Sequence, residues 1–415
     1  MIVSRYVHSM IQCLLLVGVI AGCSSSSETL TLPPSDVVTQ VPTQELTPTI
    51  TMIEPIPPTL SSQEIEAIRK KPGEPVPFWT LNMKNKDVGW ATAAWGLYRT
   101  EDGGRGWVDI TPPDHNLLDE NRFLRAETAF PDAETAWVSL TDPNNPLELV
   151  WVWVTQDGGK HWIQSTPIDP IPGQEIDLFV QAVDENTGWL LVDAVIDEST
   201  DLHISRLFRT NDGGQSWMEE NLDVNRPTDM IFLDPLRGMI SEALGQDGKM
   251  DIPVWITQDG GKSWKRSLIP PPSDSQVSFE DIGYCDQVHL SSTSDTWISA
   301  LVACSQRERL MFRTSDFGAN WGQVKLPSPS DGMNGVIWFD GQSGYQIGRD
   351  MYQTEDGGET WQRFKSVNWN GIFSFSDPRY GWVFAESGPN LALVYTQDSG
   401  LTWEILEPKF IARSQ

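Results

Sequence analysis

The side chains with chemistry and fixed spacing in this chain are seven aspartates: Asp102, Asp157, Asp212, Asp259, Asp316, Asp356 and Asp398. Each lies two residues after a Thr and five before a Trp, as in Thr100-Glu101-Asp102-Gly103-Gly104-Arg105-Gly106-Trp107. Carboxylates beside glycines suggest calcium, but an EF-hand loop needs several spaced carboxylates and a closing Glu, which no copy supplies. The spacing instead predicts a tight turn. Asp accepts hydrogen bonds from turn amides, Gly permits positive φ, and the Thr hydroxyl ties the turn to itself. Gly261-Lys262-Ser263 fails as a phosphate loop because Ile256 stands where a Gly is required. No Gly-x-Ser-x-Gly nucleophile elbow occurs. The four Cys have no zinc-type spacing and the five His are scattered singly, so neither metal nor cofactor is expected. No catalytic residue is assigned. Two suitably placed carboxylates suffice for glycoside hydrolysis, so a carbohydrate-binding or glycoside-cleaving protein stays open as the alternative.

The elements that carry these turns are strands. The chain holds 19 Trp, 33 Gly and 29 Pro, a composition of strands and turns rather than helices. With 29 basic and 57 acidic residues the net charge is −28, which repels phosphate backbones and argues against a nucleic-acid partner. A small residue followed by a large apolar one precedes each turn: Gly89-Trp90, Ala136-Trp137, Gly188-Trp189, Gly238-Met239, Thr296-Trp297, Gly344-Tyr345 and Gly381-Trp382. Twelve of the Trp fall in these two recurring places and read as core. The closing Trp residues recur every 40 to 57 positions. That period, with about four short strands per repeat, predicts an all-β fold, a seven-bladed β-propeller of four-stranded antiparallel blades over residues 75–410, with a tail at 411–415. The closure of the ring is not evident from the repeats.

The turn motif resembles the Asp-box, or BNR repeat, known from sialidases and many non-enzymatic propellers. The fuller pattern, a Gly-Trp strand followed by Thr-x-Asp-Gly-Gly-x-Thr-Trp in seven copies, resembles the photosystem II stability and assembly factor family over roughly residues 75–410. That resemblance implies a non-catalytic scaffold that grips a membrane-protein precursor through a basic surface, whereas this chain is strongly acidic. A sialidase would require an arginine triad and a Phe-Arg-Ile-Pro type motif. Phe123-Leu124-Arg125 and Asn225-Arg226-Pro227 are the nearest approaches and neither matches.

The first 22 residues read as a secretory signal: Arg5, then an apolar run from Met10 to Ala21 that is too short to span a bilayer as a helix. Its end, Ile20-Ala21-Gly22-Cys23, resembles a bacterial lipobox. The resemblance implies cleavage before Cys23 and lipidation of that residue, which would anchor the protein on the extracytoplasmic face of a cell membrane. The other reading is a plain secretory signal with an incidental Cys. Residues 23–74 are rich in Ser, Thr and Pro and read as a linker, with one or two helical turns around Ser62 to Lys71.

Cys285 and Cys304 flank a hairpin-like segment and are read as a disulfide pair, with two free thiols as the alternative. Alkylation with and without reductant checks this: the disulfide predicts two thiols that react only after reduction, and two thiols reactive from the start contradict it.

If the Asp turns join third to fourth strands, the second-to-third loops and the blade-to-blade connections share the opposite face. Those loops are longer in blades two to five: Thr141 to Leu149, Asp193 to Leu202, Glu242 to Asp251, and Ala303 to Arg309. Asp114, Asp119, Glu120, Asp197, Glu198 and Asp201 make this face acidic and are the candidate residues for a basic surface on a protein partner, such as part of a membrane complex; the other reading is that these charges only keep an exposed protein soluble. Arg99, Arg209 and Arg313 share the position before the turn Thr and read as packing or salt-bridge residues.

Overall fold

The computed structural model describes residues 68–69, 78–93, 96–112, 125–141, 150–169, 175–197, 200, 202–243, 252–270, 285–293, 297–304, 309–327, 335–388 and 390–411. The expected signal, Cys23 and most of the expected linker lie outside these residues. No helix among them is long and apolar enough to cross a membrane.

The fold is all-β, seven blades of four antiparallel strands in chain order. Blade one runs Phe78–Met83, Gly89–Ala93, Gly96–Thr100 and Gly106–Asp109. Blade three runs Glu175–Ala182, Gly188–Asp197, Leu202–Thr210 and Met218–Glu220. The small-plus-large pairs lie where the second strands begin. Trp90, Trp137, Trp189 and Trp382 are fully buried there because each ring enters the seam between two blades. The core is accordingly divided into packets, most of them shared by adjacent blades. One joins Leu178, Val180 and Val192 of blade three to Trp137 and Val154 of blade two. Another joins Leu191 and Leu207 of blade three to Met230 and Ile240 of blade four.

The ring closes between blades seven and one. The Met83 amide donates to Ser374 Oγ (2.8 Å), and Trp382 Nε1 donates to the Gly103 carbonyl (2.9 Å). Blade one also gains outer strands. Lys409–Ile411 pairs in parallel with Gly106–Asp109, and Ile68–Arg69 pairs antiparallel to Lys409–Ile411. Phe410 thereby reaches Phe78 (5.4 Å between ring centroids) and Tyr98 (5.8 Å). Two expectations are corrected here. Ile68–Arg69, within the segment read as helical turn and linker, is strand, and Ile411, read as tail, belongs to the closing strand.

In blade five the backbone register sets Cys285 opposite Cys304 at the open end of the hairpin. In blade three, residues 193–197, read as loop, continue the second strand. Val192 and Ala194 alternate toward blade two, and that packing outweighs the loop-like look of Asp193 and Asp197.

Candidate binding face

The propeller has a turn face, carrying the first-to-second and third-to-fourth connections, and a loop face, carrying the others. On the turn face the seven repeated aspartates are occupied within their own turns. In blade six Thr354 Oγ1 donates to Asp356 Oδ1 (2.8 Å) and accepts the Gly358 amide (2.9 Å). The Thr360 hydroxyl donates to Asp356 Oδ2 (2.5 Å) and the Thr360 amide to Oδ1 (2.9 Å). The hydroxyl and then the amide hold this carboxyl down at about 2. The Thr–Asp bond recurs in the other six turns at 2.7 to 3.0 Å. Carboxylates committed this way position strands and leave little for a ligand.

A second recurrence leaves only a faint trace in the sequence. Asp132, Asp184, Asp234, Asp340 and Asp377 each accept two backbone amides through Oδ1 in the first-to-second strand turns, and Asn85 does so in blade one. Each is an Asx turn. Its only sequence signal is an Asp or Asn about five residues before the strand-start aromatic or Met, too sparse to stand out in a chain so rich in Asp.

Arg99, Arg209 and Arg313 are buried staples from blades one, three and five to the blade that follows. Arg99 lies over Trp90 and donates to the Ala133 carbonyl (3.1 Å) and the Glu134 carboxylate (2.8 Å). Arg209 lies over Trp189 and donates to the Pro235 carbonyl (3.2 Å). Arg313 sits between Trp297 and Trp338 and donates to the Gly341 and Gly357 carbonyls. Burial pushes its pKa down to about 10, still fully charged at neutral pH. The guanidinium occupies the space beside the first turn glycine of the next blade: a Cβ on Gly260 would stand 2.5 Å from Arg209 Nη1. Phe317 and Ser399 replace that glycine in blades five and seven, keeping positive φ. The blades before them carry Ile256 and Gln353 in place of arginine, which leaves room for a side chain.

On the loop face the second and third strands of blade three are, among the described residues, the longest of any blade, at 10 and 9 residues. Asp193, 3% exposed, is clamped between them. His203 Nδ1 contacts its Oδ2 at 2.7 Å, and the Ser205 hydroxyl donates to its Oδ1 at 2.6 Å. Burial raises the Asp193 pKa, those two hydrogen bonds oppose it, and neighbouring Asp177 adds to it. In a nucleophilic relay the hydroxyl bonds the imidazole, and the imidazole bonds the carboxylate. Here the hydroxyl and the imidazole both bond the carboxylate, so the trio locks the hairpin. Asp197 follows at the hairpin's bulge, in register with Leu202.

Beside the axis, Asp229 of blade four accepts the amides of Met230 (2.7 Å) and Leu290 (2.8 Å), and His289 of blade five lies 3.9 Å away. Burial pushes the Asp229 carboxyl up to about 7 against those hydrogen bonds, and Glu127 adds to the rise. The folded protein therefore holds a proton that the unfolded chain releases near pH 4. The site's contribution to stability is greatest below that pH and declines as pH rises to about 7. Asp229→Asn should remove this decline, so its thermal midpoint should gain on the wild type between pH 5 and pH 8. A constant difference between the two melts across that range would contradict the assignment.

Of the sequence-predicted loop-face acids, Asp197 is described, while Asp114, Asp119, Glu120, Glu198 and Asp201 lie outside the described residues. Among the described residues no group of three or more His, Cys, Asp or Glu could hold a metal ion.

No protein-family model matches the chain. Over 150 residues it is 24% identical to the photosystem II assembly lipoprotein Ycf48 of Synechococcus sp. (strain CC9902), covering 35% of this chain and 39% of that protein. The match thus spans well under half of the curated relative. Among solved structures the chain resembles YCF48 bound to D1 peptide, with a TM-score of 0.51, 20% identity, and coverage of 80% of this chain and 95% of that one. It also resembles YCF48 from Cyanidioschyzon merolae, with a TM-score of 0.50, 16% identity, and coverage of 81% and 100%. The GH74 xyloglucanase from Xanthomonas campestris gives a TM-score of 0.54 at 12% identity, covering 84% of this chain and 55% of that one. At such identities these likenesses show the fold alone.

Proposed function

We propose that this protein is a non-catalytic propeller that binds another membrane or secreted protein through its loop face and supports that protein's assembly. The local sequence similarity to a photosystem II assembly lipoprotein carries this reading. The solved relative bound to a D1 peptide supports a protein ligand over a small substrate. The aspartates of the turn face are engaged in Asp-box-like turns, which leaves the loop face for recognition. Lipidation at Cys23 and a linker over 23–74 would hold the propeller outside a cell membrane, within reach of a membrane complex. A carbohydrate-binding or glycoside-cleaving role is the alternative, on the same fold as the xyloglucanase.

With a net charge of −28 the chain suits a basic partner surface rather than an acidic one. Neutralising Asp197, Glu198 and Asp201 together (D197N, E198Q, D201N) should weaken partner binding roughly tenfold and flatten its salt dependence. Titration of a D1 peptide and of a basic peptide of equal length, at low and high salt, reads this out. Binding of equal strength and salt slope in the wild type and the triple variant would overturn the role of this face.

A further inference from the structure

The inner strands of blades one, two and three border a half-open cavity of about 330 Å³ at the turn-face end of the axis, away from the loop face. Its wall presents Thr80 and Asn82 from blade one, Thr128 and Phe130 from blade two, and Gln181 from blade three. Three features set it apart. First, the lining holds no ionisable side chain, in a chain with 86 Asp, Glu, Lys and Arg residues. Second, the hydrogen-bonding capacity is unspent: the side chains of Asn82, Thr128 and Gln181 are half-buried and make no hydrogen bond to another residue. Thr80 Oγ1 is bonded to Thr92 Oγ1 (2.7 Å). Third, the apolar part of the wall, to which Leu81, Ala129 and Ala182 also belong, includes a held aromatic ring. Phe130 stacks on the fully buried Trp90 at 5.3 Å and 10°, and Trp90 Nε1 is tied to the Asp132 carbonyl.

Two amides and two hydroxyls offer both donors and acceptors, so they match a ligand that carries both on each group, as an alcohol does. An aromatic face suits C–H surface. The volume lies at the lower end of ligand sites, roughly 300–1,000 Å³. An extended peptide, rising about 3.3 Å per residue, would leave so compact a space after a residue or two. The overall negative charge disfavours anions, and the wall supplies no carboxylate for a cation.

We propose that this cavity binds an uncharged, hydroxyl-rich ring, a single neutral sugar unit, through Asn82, Thr128 and Gln181, with Phe130 beneath the ring. The site is separate from the loop face and does not depend on the protein-binding reading.

Saturation-transfer NMR on the full chain tests it, with glucose, galactose, N-acetylglucosamine and maltose each at about 10 mM as probes, a range suited to weak single-site binding. At least one sugar should show transfer. Its affinity should fall about tenfold in Gln181→Leu and in Asn82→Leu, each of which removes hydrogen bonds while keeping similar bulk. Thermal midpoints within a degree or two of wild type, about what surface substitutions give, verify that both variants fold. Phe130→Tyr keeps the ring and should retain binding. No transfer from any of the four sugars, or transfer unaltered by both leucine variants, would overturn the proposal. So would displacement of the sugar by a neutral peptide at equal concentration.

Discussion

Removing the closing strand should destabilise the propeller more than any comparably small deletion elsewhere on its rim. Lys409–Ile411 lies between the outer edge of blade one and Ile68–Arg69, so truncation after Pro408 frees both neighbours at once. Phe410 is 7% exposed and belongs to the packet that holds Trp107, Trp382 and Leu393, which is the packet between the first and last blades. Phe410→Ala alone should cost about 3 kcal/mol, from lost transfer energy and the cavity left behind. For a domain of this size that lowers the thermal midpoint by about 4 °C. The truncation should go further, because it also exposes the unpaired edge Gly106–Asp109 and invites association between chains. Melting curves and size-exclusion chromatography measure both effects. An unchanged midpoint in the truncated protein would mean that the strand only decorates a ring that closes without it.

The second large effect is expected at Arg313. Its guanidinium is 4% exposed, lies 3.6 Å from the Trp338 ring centroid and 4.4 Å from that of Trp297, and donates to carbonyls of blade six. Arg313→Leu leaves those carbonyls without their donor in a seam that water does not easily reach. The cost should be about 3 kcal/mol. Arg313→Lys should not rescue it, since an ammonium is a point donor that cannot lie flat between two indoles while forking to two carbonyls. Arg363, which meets Asp350 at 2.5 Å on the surface with its side chain 55% exposed, is the natural control. Its replacement by Ala should cost less than about 1 kcal/mol. Equal losses at the two positions, or full rescue by lysine, would show that the Arg313 seam is not a staple.

These two sites also mark where sequence reading ended. The blades were legible because each turn needs Thr, Asp and Gly within five positions, and each seam needs a large apolar residue at the start of the second strand, 11 to 23 positions before the turn Asp. The Arg–Gly pairing between consecutive blades was not legible. It relates Arg209 to Gly260 across about 50 residues, and glycine gives way to Phe317 and Ser399 in only two of the four turns whose preceding blade lacks the arginine, Gly103 and Gly213 being kept in the others. The closing strand was hidden for a different reason. Lys409–Ile411 is three residues long and borrows its partner from the other end of the domain, so no local period announces it. Asp193 misled because a buried carboxylate between strands looks, in sequence, like a loop acid. The aromatic seams were readable. The neutral cavity beside the axis was not, since its wall gathers single residues from three repeats.

Recognition of a protein by the loop face is tested most directly by cross-linking in native membranes followed by mapping of the linked residues. The chain would be tagged at its C-terminus and compared with the variant neutralised at Asp197, Glu198 and Asp201. Cross-links from one partner should concentrate on the loop-face end of blades two to five, and should be reduced in the variant and reduced by salt in the wild type. Cross-links concentrated on the turn face, or a partner captured equally by both forms at every salt concentration, would contradict it.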